Sequence, residues 1–230
     1  RLRSRGLGDV YKRQILEGAK QSGKSVAELM EKCASWNIRG IEIGDALLRE
    51  NKEEIKELLE KNHMQVSCSN AFYDFGHNPD AAQGKKQIDL AEEFGVSKVL
   101  IIPGELSENE SAALNALSAS KEQTYSYMSE NASLRNMVQA LKELVAYGKE
   151  KNILVTLEDF DGPVQPFARM YQLLWFMENV PGLKFTLDTG NFAYSDEDAV
   201  QAYEVLKDYI VHVHLSLIHI SEPTRPEPIS

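Results

Sequence analysis

Three residues in the second half of the chain have the types to share one divalent cation: Glu158, Asp188 and His214. Each ends a short run with the two-residue period of a strand: Ile153-Leu-Val-Thr-Leu157, Lys184-Phe-Thr-Leu187, and Tyr209-Ile-Val-His-Val before His214. Two carboxylates and one imidazole form a hard-to-borderline donor set that suits Mn²⁺, Mg²⁺, Co²⁺ or Zn²⁺. No single spacing carries this reading. It rests on three strand ends in a row offering a ligand on the same face. The competing structural readings are a salt-bridge carboxylate for Glu158, an aspartate that only shapes the Asp-Thr-Gly turn for Asp188, and a satisfied interior histidine for His214. His212 lies two residues before His214 on the same face and reads as its supporting neighbour, and as a substrate contact, rather than as a metal ligand.

The elements that must position these residues alternate. Helical periodicity is expected from Ser25 (a cap) to Ala34, over Asn51–Lys61, over Asp80–Phe94 with Gly95 closing it, over Ser133–Lys151, over Pro166–Glu178, and over Ser195–Lys207 behind an acidic first turn. Between them lie further strands at Gly40–Gly44, Gln65–Ser69 and Lys98–Ile102. Residues 105–130 are rich in Ser, Glu and Asn with weak helical period, which reads as a lid or a solvated insertion. Strands alternating with helices imply a parallel sheet. No Gly-rich phosphate turn follows any strand, which weakens an open nucleotide-binding sheet. Polar residues line one face of the late strands (Thr156, Glu158; Thr186, Asp188; His212, His214) and apolar residues the other (Val155, Leu157; Phe185, Leu187; Val211, Val213). One face then looks into a barrel while the other meets helices. Sites in such barrels sit at the C-terminal strand ends. On that rim, after the Gln65–Ser69 strand, come Asn70, Phe72, Tyr73 and His77, with Asn70 and His77 read as substrate contacts; Glu42 points inward, either as a buried partner or toward a ligand. Trp36, Tyr171, Trp175 and Phe176 read as core.

Leu157-Glu158-Asp159-Phe160, Leu187-Asp188-Thr189-Gly190-Asn191-Phe192, His212-Val213-His214-Leu215 and Gly40-Ile41-Glu42-Ile43 resemble, in order and spacing, the signatures of the xylose isomerase-like family of sugar phosphate isomerases and epimerases. The resemblance covers residues 15–215 and implies a (β/α)8 TIM barrel, here truncated and lacking strands one and eight. It implies that Glu158, Asp188 and His214 hold a divalent metal ion together with a glutamate of the eighth strand. It also implies a reaction in which two carboxylates move a proton beside a carbonyl through an enediolate, with Glu158 as one of the pair. Asn191 stands where many relatives carry a substrate-touching histidine; its amide can hydrogen-bond a sugar hydroxyl but cannot act as an acid or base near neutral pH. A chain without strands one and eight is expected to be inactive, with two open sheet edges.

Composition narrows the classes. The chain has 230 residues, ordinary proportions of apolar (43%) and charged (26%) residues, and a net charge of −10. Residues 1–14 and 216–230 resemble translated sequencing-adapter sequence, leaving 15–215 as a partial barrel domain. Setting aside 1–14 and 217–230 removes six of the 25 basic and three of the 35 acidic residues, leaving a charge of −13. His219 falls in that tail and is not counted as a ligand. No apolar run approaches the ~18 residues of a membrane span. The acidic balance argues against nucleic acid, and hence against an apurinic-site endonuclease of related barrel type. The expected partner is a small sugar, with no nucleic acid and no membrane; a homo-oligomer is compatible with this. Cys33 and Cys68 are too far apart for a metal pair and read as reduced thiols of a cytoplasmic protein. Beside the isomerase or epimerase stand two alternatives: an inosose-type dehydratase using the same enolate chemistry, and a non-catalytic barrel that binds a small ligand.

Overall fold

A computed structural model describes residues 23–215 apart from 161 and 163. The segments read as foreign, 1–14 and 216–230, lie outside the described residues, as do His219 and any eighth strand.

Six parallel strands are described: β1 (Gly40–Gly44), β2 (Gln65–Phe72), β3 (Lys98–Ile102), β4 (Leu154–Glu158), β5 (Lys184–Asp188) and β6 (Ile210–His214). They pair in chain order, each parallel to the next. An open doubly wound sheet reverses its strand order at a switch point, whereas a barrel does not. Curling is read directly from a side chain: Glu42 of the first strand hydrogen-bonds His212 and His214 of the last. The six described strands therefore form a curled part-barrel, consistent with the α/β barrel expected.

The helices coat the outside. They are α1 (Val26–Ser35), α2 (Asp45–Glu50), α3 (Lys52–Asn62), α4 (Ala82–Glu93), α5 (Glu108–Ala116), α6 (Lys121–Glu130), α7 (Ala132–Glu150), α8 (Met170–Asn179) and α9 (Ala199–Leu206). In α7, Leu134, Met137, Val138, Leu141 and Leu144 recur at three- and four-residue steps and are buried, so one stripe packs on the sheet. The Asn131 side chain caps it by accepting from the Leu134 N–H. Gly148 lets the end of α7 pass close to the start of β4: a Cβ there would sit 2.6 Å from the Ile153 carbonyl oxygen.

The strands carry the expected division of faces. Val155, Leu157 and Phe185 are buried under helices. Thr156 and Thr186, on the other face, are buried and joined: the two hydroxyls lie 2.9 Å apart, and Thr156 Oγ1 donates to the Val99 carbonyl.

Several expectations change. Residues 105–130, expected to have only weak helical character, hold two packed helices. Ser107 and Glu110 form a reciprocal capping box for α5, and Leu114 and Met128 are buried. A short helix, α2, was not expected directly after β1. The helix placed at Ser195 starts at Ala199, behind an Asp198 cap and a 3₁₀ turn, because Asp196 is left-handed at φ 53°. The helix placed at Pro166 starts at Met170; the Ala168 N–H is taken by Gln172 Oε1 rather than by a helical carbonyl. Trp36 is also not core: it is 64% exposed, with Lys32 Nζ 4.8 Å from its ring centre.

Candidate metal centre

Glu158, Asp188 and His214 are the last residues of β4, β5 and β6. Because the strands are parallel and each of the three residues closes its strand, all three fall at one end of the sheet, with Asp188 directly opposite His214 in the ladder. All are buried. One ligand atom from each can be chosen so that the three lie within 4.8 Å of one another.

His214 is held at both ring nitrogens. Nδ1 is 2.6 Å from Glu158 Oε1, and Nε2 is 2.7 Å from Glu42 Oε2. Burial disfavours charge on this ring, but the two carboxylates outweigh it and lift its pKa to about 11. Burial also works against ionised Glu42, yet hydrogen bonds from His212 and His214 pull it down to about 2. The proton of the cluster therefore rests on His214, facing ionised Glu42. Glu158 behaves oppositely: burial dominates and drives its carboxyl up to about 7, despite the bond to His214. Its second oxygen, Oε2, is buried and has no hydrogen-bond partner among the described residues. A buried carboxylate oxygen without a donor is costly unless something cationic meets it. That orphan, beside Asp188 and His214, is the observation by which these residues fit a divalent cation.

Asp188 also shapes its own turn. Its Oδ1 accepts the Gly190 and Asn191 N–H groups at 2.7 and 3.1 Å. Asp159, the residue after Glu158, accepts the Asp188 N–H at 2.6 Å, and burial pushes its carboxyl well up. The tip of β5 is thereby tied to the tip of β4.

The other expected contacts divide. Asn191 is buried at the rim of the cluster, and its amide donates to the Asp159 carbonyl at 2.6 Å. His212 is half-buried, 3.2 Å from Glu42 Oε2. Asn70 donates to Glu42 Oε1 at 2.9 Å and so supports Glu42. His77 stands apart: its side chain is 73% exposed, and it pairs locally with Asp74 at 2.7 Å. Tyr73 donates its hydroxyl to Gln87, while Phe72, exposed, meets Phe160 edge-on at 5.9 Å. Sequence reasoning left Glu42 open and passed over Asp159. The signal for Glu42 was its inward place in Gly40-Ile-Glu-Ile; Asp159 gave none, because its role depends on a neighbouring strand.

Fold and site together define a parallel α/β barrel with a cluster able to take a cation at its C-terminal rim. The sequence matches the family described as Xylose isomerase-like TIM barrel over residues 30–227, and the chain belongs to that family. No curated protein sequence matches it. Among solved structures it resembles the probable 3-DHS dehydratase AsbF from Bacillus anthracis, with 19% identity, a TM-score of 0.62, and coverage of 86% of this chain and 72% of that one. It also resembles the 3-keto-D-glucoside 4-epimerase YcjR from E. coli (17%, TM-score 0.60, coverage 82% and 72%). A third is a xylose isomerase-like TIM barrel protein from Mycobacterium smegmatis in complex with magnesium (16%, TM-score 0.55, coverage 82% and 65%). At these identities the likeness speaks for the fold. Among the described residues no helix is long and apolar enough to cross a membrane.

Proposed function

We propose that the protein is a divalent-metal-dependent isomerase or epimerase of a sugar or sugar phosphate. The observation that supports this most is the convergence of Glu158, Asp188 and His214 at one strand-end rim with Glu158 Oε2 buried and unpartnered. Those three residues would hold the ion, whose bound contribution is Lewis acidity toward a carbonyl and a neighbouring hydroxyl. Glu158 takes the proton from the carbon beside the carbonyl, leaving an enediolate, and its carboxyl, held near neutrality by burial, is suited to taking and returning it. As a ligand His214 would release the ring proton that faces Glu158, and the ion's charge would take over the balance of the carboxylates. Asn191 and His212 border the cluster and offer hydrogen bonds to hydroxyls. Asn70 acts through Glu42, and His77 would reach substrate only by turning away from Asp74. The free thiols Cys33 and Cys68 accord with a cytoplasmic location.

The test is a metal-supplemented assay of the full-length protein against a ketose panel in D₂O. Deuterium should enter the carbon beside the carbonyl of at least one sugar, chelation should stop it, and Glu158→Gln should slow it by about 10²–10⁴-fold. A product lighter by one water would transfer the reading to the dehydratase alternative. Metal bound with no exchange into any sugar would leave a ligand-binding barrel.

A further inference from the structure

Glu42 is a buried carboxylate with donors on both oxygens. Its Oε1 accepts from Asn70 Nδ2 at 2.9 Å, and its Oε2 meets His212 Nε2 at 3.2 Å and His214 Nε2 at 2.7 Å. It is buried and comes from β1, on the far side of the barrel interior from β6. The carboxylate is fixed by Asn70 from the adjacent strand, where Asn70 pairs with Gly44 in the ladder. A ring nitrogen that ligates a metal needs its other nitrogen protonated and aimed at an acceptor, which sets both tautomer and ring orientation. His214 offers Nδ1 on the Glu158 side and has Nε2 against Glu42.

We infer that Glu42 is a positioning residue: it holds His214 as the Nε2–H tautomer with Nδ1 presented to the cation, and Asn70 locks Glu42 for that task. This rests on the metal reading above. A competing assignment makes Glu42, His212 and His214 a second cation site, since their donor atoms also lie within 4.8 Å of one another. The hydrogen bonding favours positioning. Both oxygens of Glu42 already have donors, whereas the atom left without one is Glu158 Oε2, in the other group.

The test measures Mn²⁺ and Mg²⁺ binding to the full-length protein by calorimetry, with stoichiometry, for the parent, Glu42→Gln and Asn70→Ala. Histidine-ring nitrogen NMR of the Mg²⁺-loaded protein gives a second readout. The expected result is one ion per chain in the parent, about 10–100-fold weaker binding in Glu42→Gln, a smaller loss in Asn70→Ala, and loss of the protected Nε2–H signal of His214 in Glu42→Gln. If Glu42→Gln does not fold, Asn70→Ala carries the test alone: weaker binding with a displaced His214 signal supports the inference, and unchanged binding overturns it. Two ions in the parent falling to one in Glu42→Gln would make Glu42 a ligand and overturn it. Parent-like affinity in Glu42→Gln would overturn it while leaving the metal reading intact. No ion bound by the parent would overturn the metal reading itself.

Discussion

Glu158→Gln should reverse its effect on stability according to whether a divalent ion is present. The Glu158 carboxyl is raised from 4.5 to about 7 by burial. The sign follows from linkage. Below about pH 4.5 the carboxyl is protonated both folded and unfolded and costs nothing. Between about 4.5 and 7 the unfolded chain ionises first, so stability falls; above about 7 the loss is constant. A rise of that size corresponds to a loss on the order of 3 kcal/mol. Glutamine mimics the protonated carboxyl and escapes the loss. It retains an acceptor for His214, but leaves an amide N–H without a partner where Oε2 now lies, which costs about 1–3 kcal/mol. Near pH 7.5 without metal, the variant should therefore equal the parent or exceed it by up to about 2 kcal/mol, or roughly 6 °C in melting temperature for a chain of this size. A divalent ion at one hundred times its Kd adds about 2.7 kcal/mol to the parent, roughly 5–10 °C. The variant, short of one anionic ligand, should gain under about 1 kcal/mol. Thermal melts by circular dichroism, with chelator and with Mn²⁺, should show the order of the two proteins inverting near pH 7.5, and toward about pH 4 the metal-free variant should fall about 1–3 kcal/mol below the parent, because only the unpartnered amide remains. A metal-free variant melting far below the parent near pH 7.5 would show Glu158 to be structural. Equal metal-induced shifts in both proteins would remove Glu158 from the ligand set.

Three further outcomes test the frame around the site. Cys68 is buried and its thiol is pushed well up, first by burial and then by nearby Glu42, so a thiol reagent should label Cys33 in the native protein and reach Cys68 only on unfolding, as peptide mapping would read. Gly148→Ala should lower stability by about 1–3 kcal/mol in denaturant melts, because its new Cβ would meet the Ile153 carbonyl at 2.6 Å; parent-like stability would mean that α7 shifts freely on β4. Asn131→Ala should cost about 1 kcal/mol by removing the α7 cap, with the same melts as the readout.

The parts legible in the sequence were those governed by local periodicity. All six strands were expected near their observed places, because two-residue alternation and flanking turns mark them without knowledge of neighbours. The barrel reading came from polar residues repeating on one strand face, and the curl of the sheet agrees with it. The missed helices show where local pattern is weak. The Ser107/Glu110 capping box was present in the sequence, but α5 and α6 are stabilised by tertiary burial of Leu114, Met128 and the Trp175 indole, which donates to Ser129. Trp36 failed for the complementary reason: its size suggested core, but it is the C-cap residue of α1, past the stripe that packs inward.

The site was legible to the extent that its residues end strands. It was not legible where two strands distant in sequence supply one hydrogen bond. Glu42 and His214 are 172 residues apart, and only the curl of the sheet brings them to 2.7 Å. That contact has an energetic consequence. Bending a sheet until its first and last strands share an interior places several carboxylates in one dry space, which is unfavourable unless positive charge joins them. In the metal-free protein the His214 proton supplies part of that charge, binding Glu42 firmly while Glu158 keeps an unpartnered oxygen. The protein matrix thus satisfies Glu42 and leaves Glu158 unsatisfied. A cation would have its greatest electrostatic gain at the carboxylate left short of donors, so on the proposed reading this imbalance would favour Glu158, Asp188 and Nδ1 of His214 over Glu42.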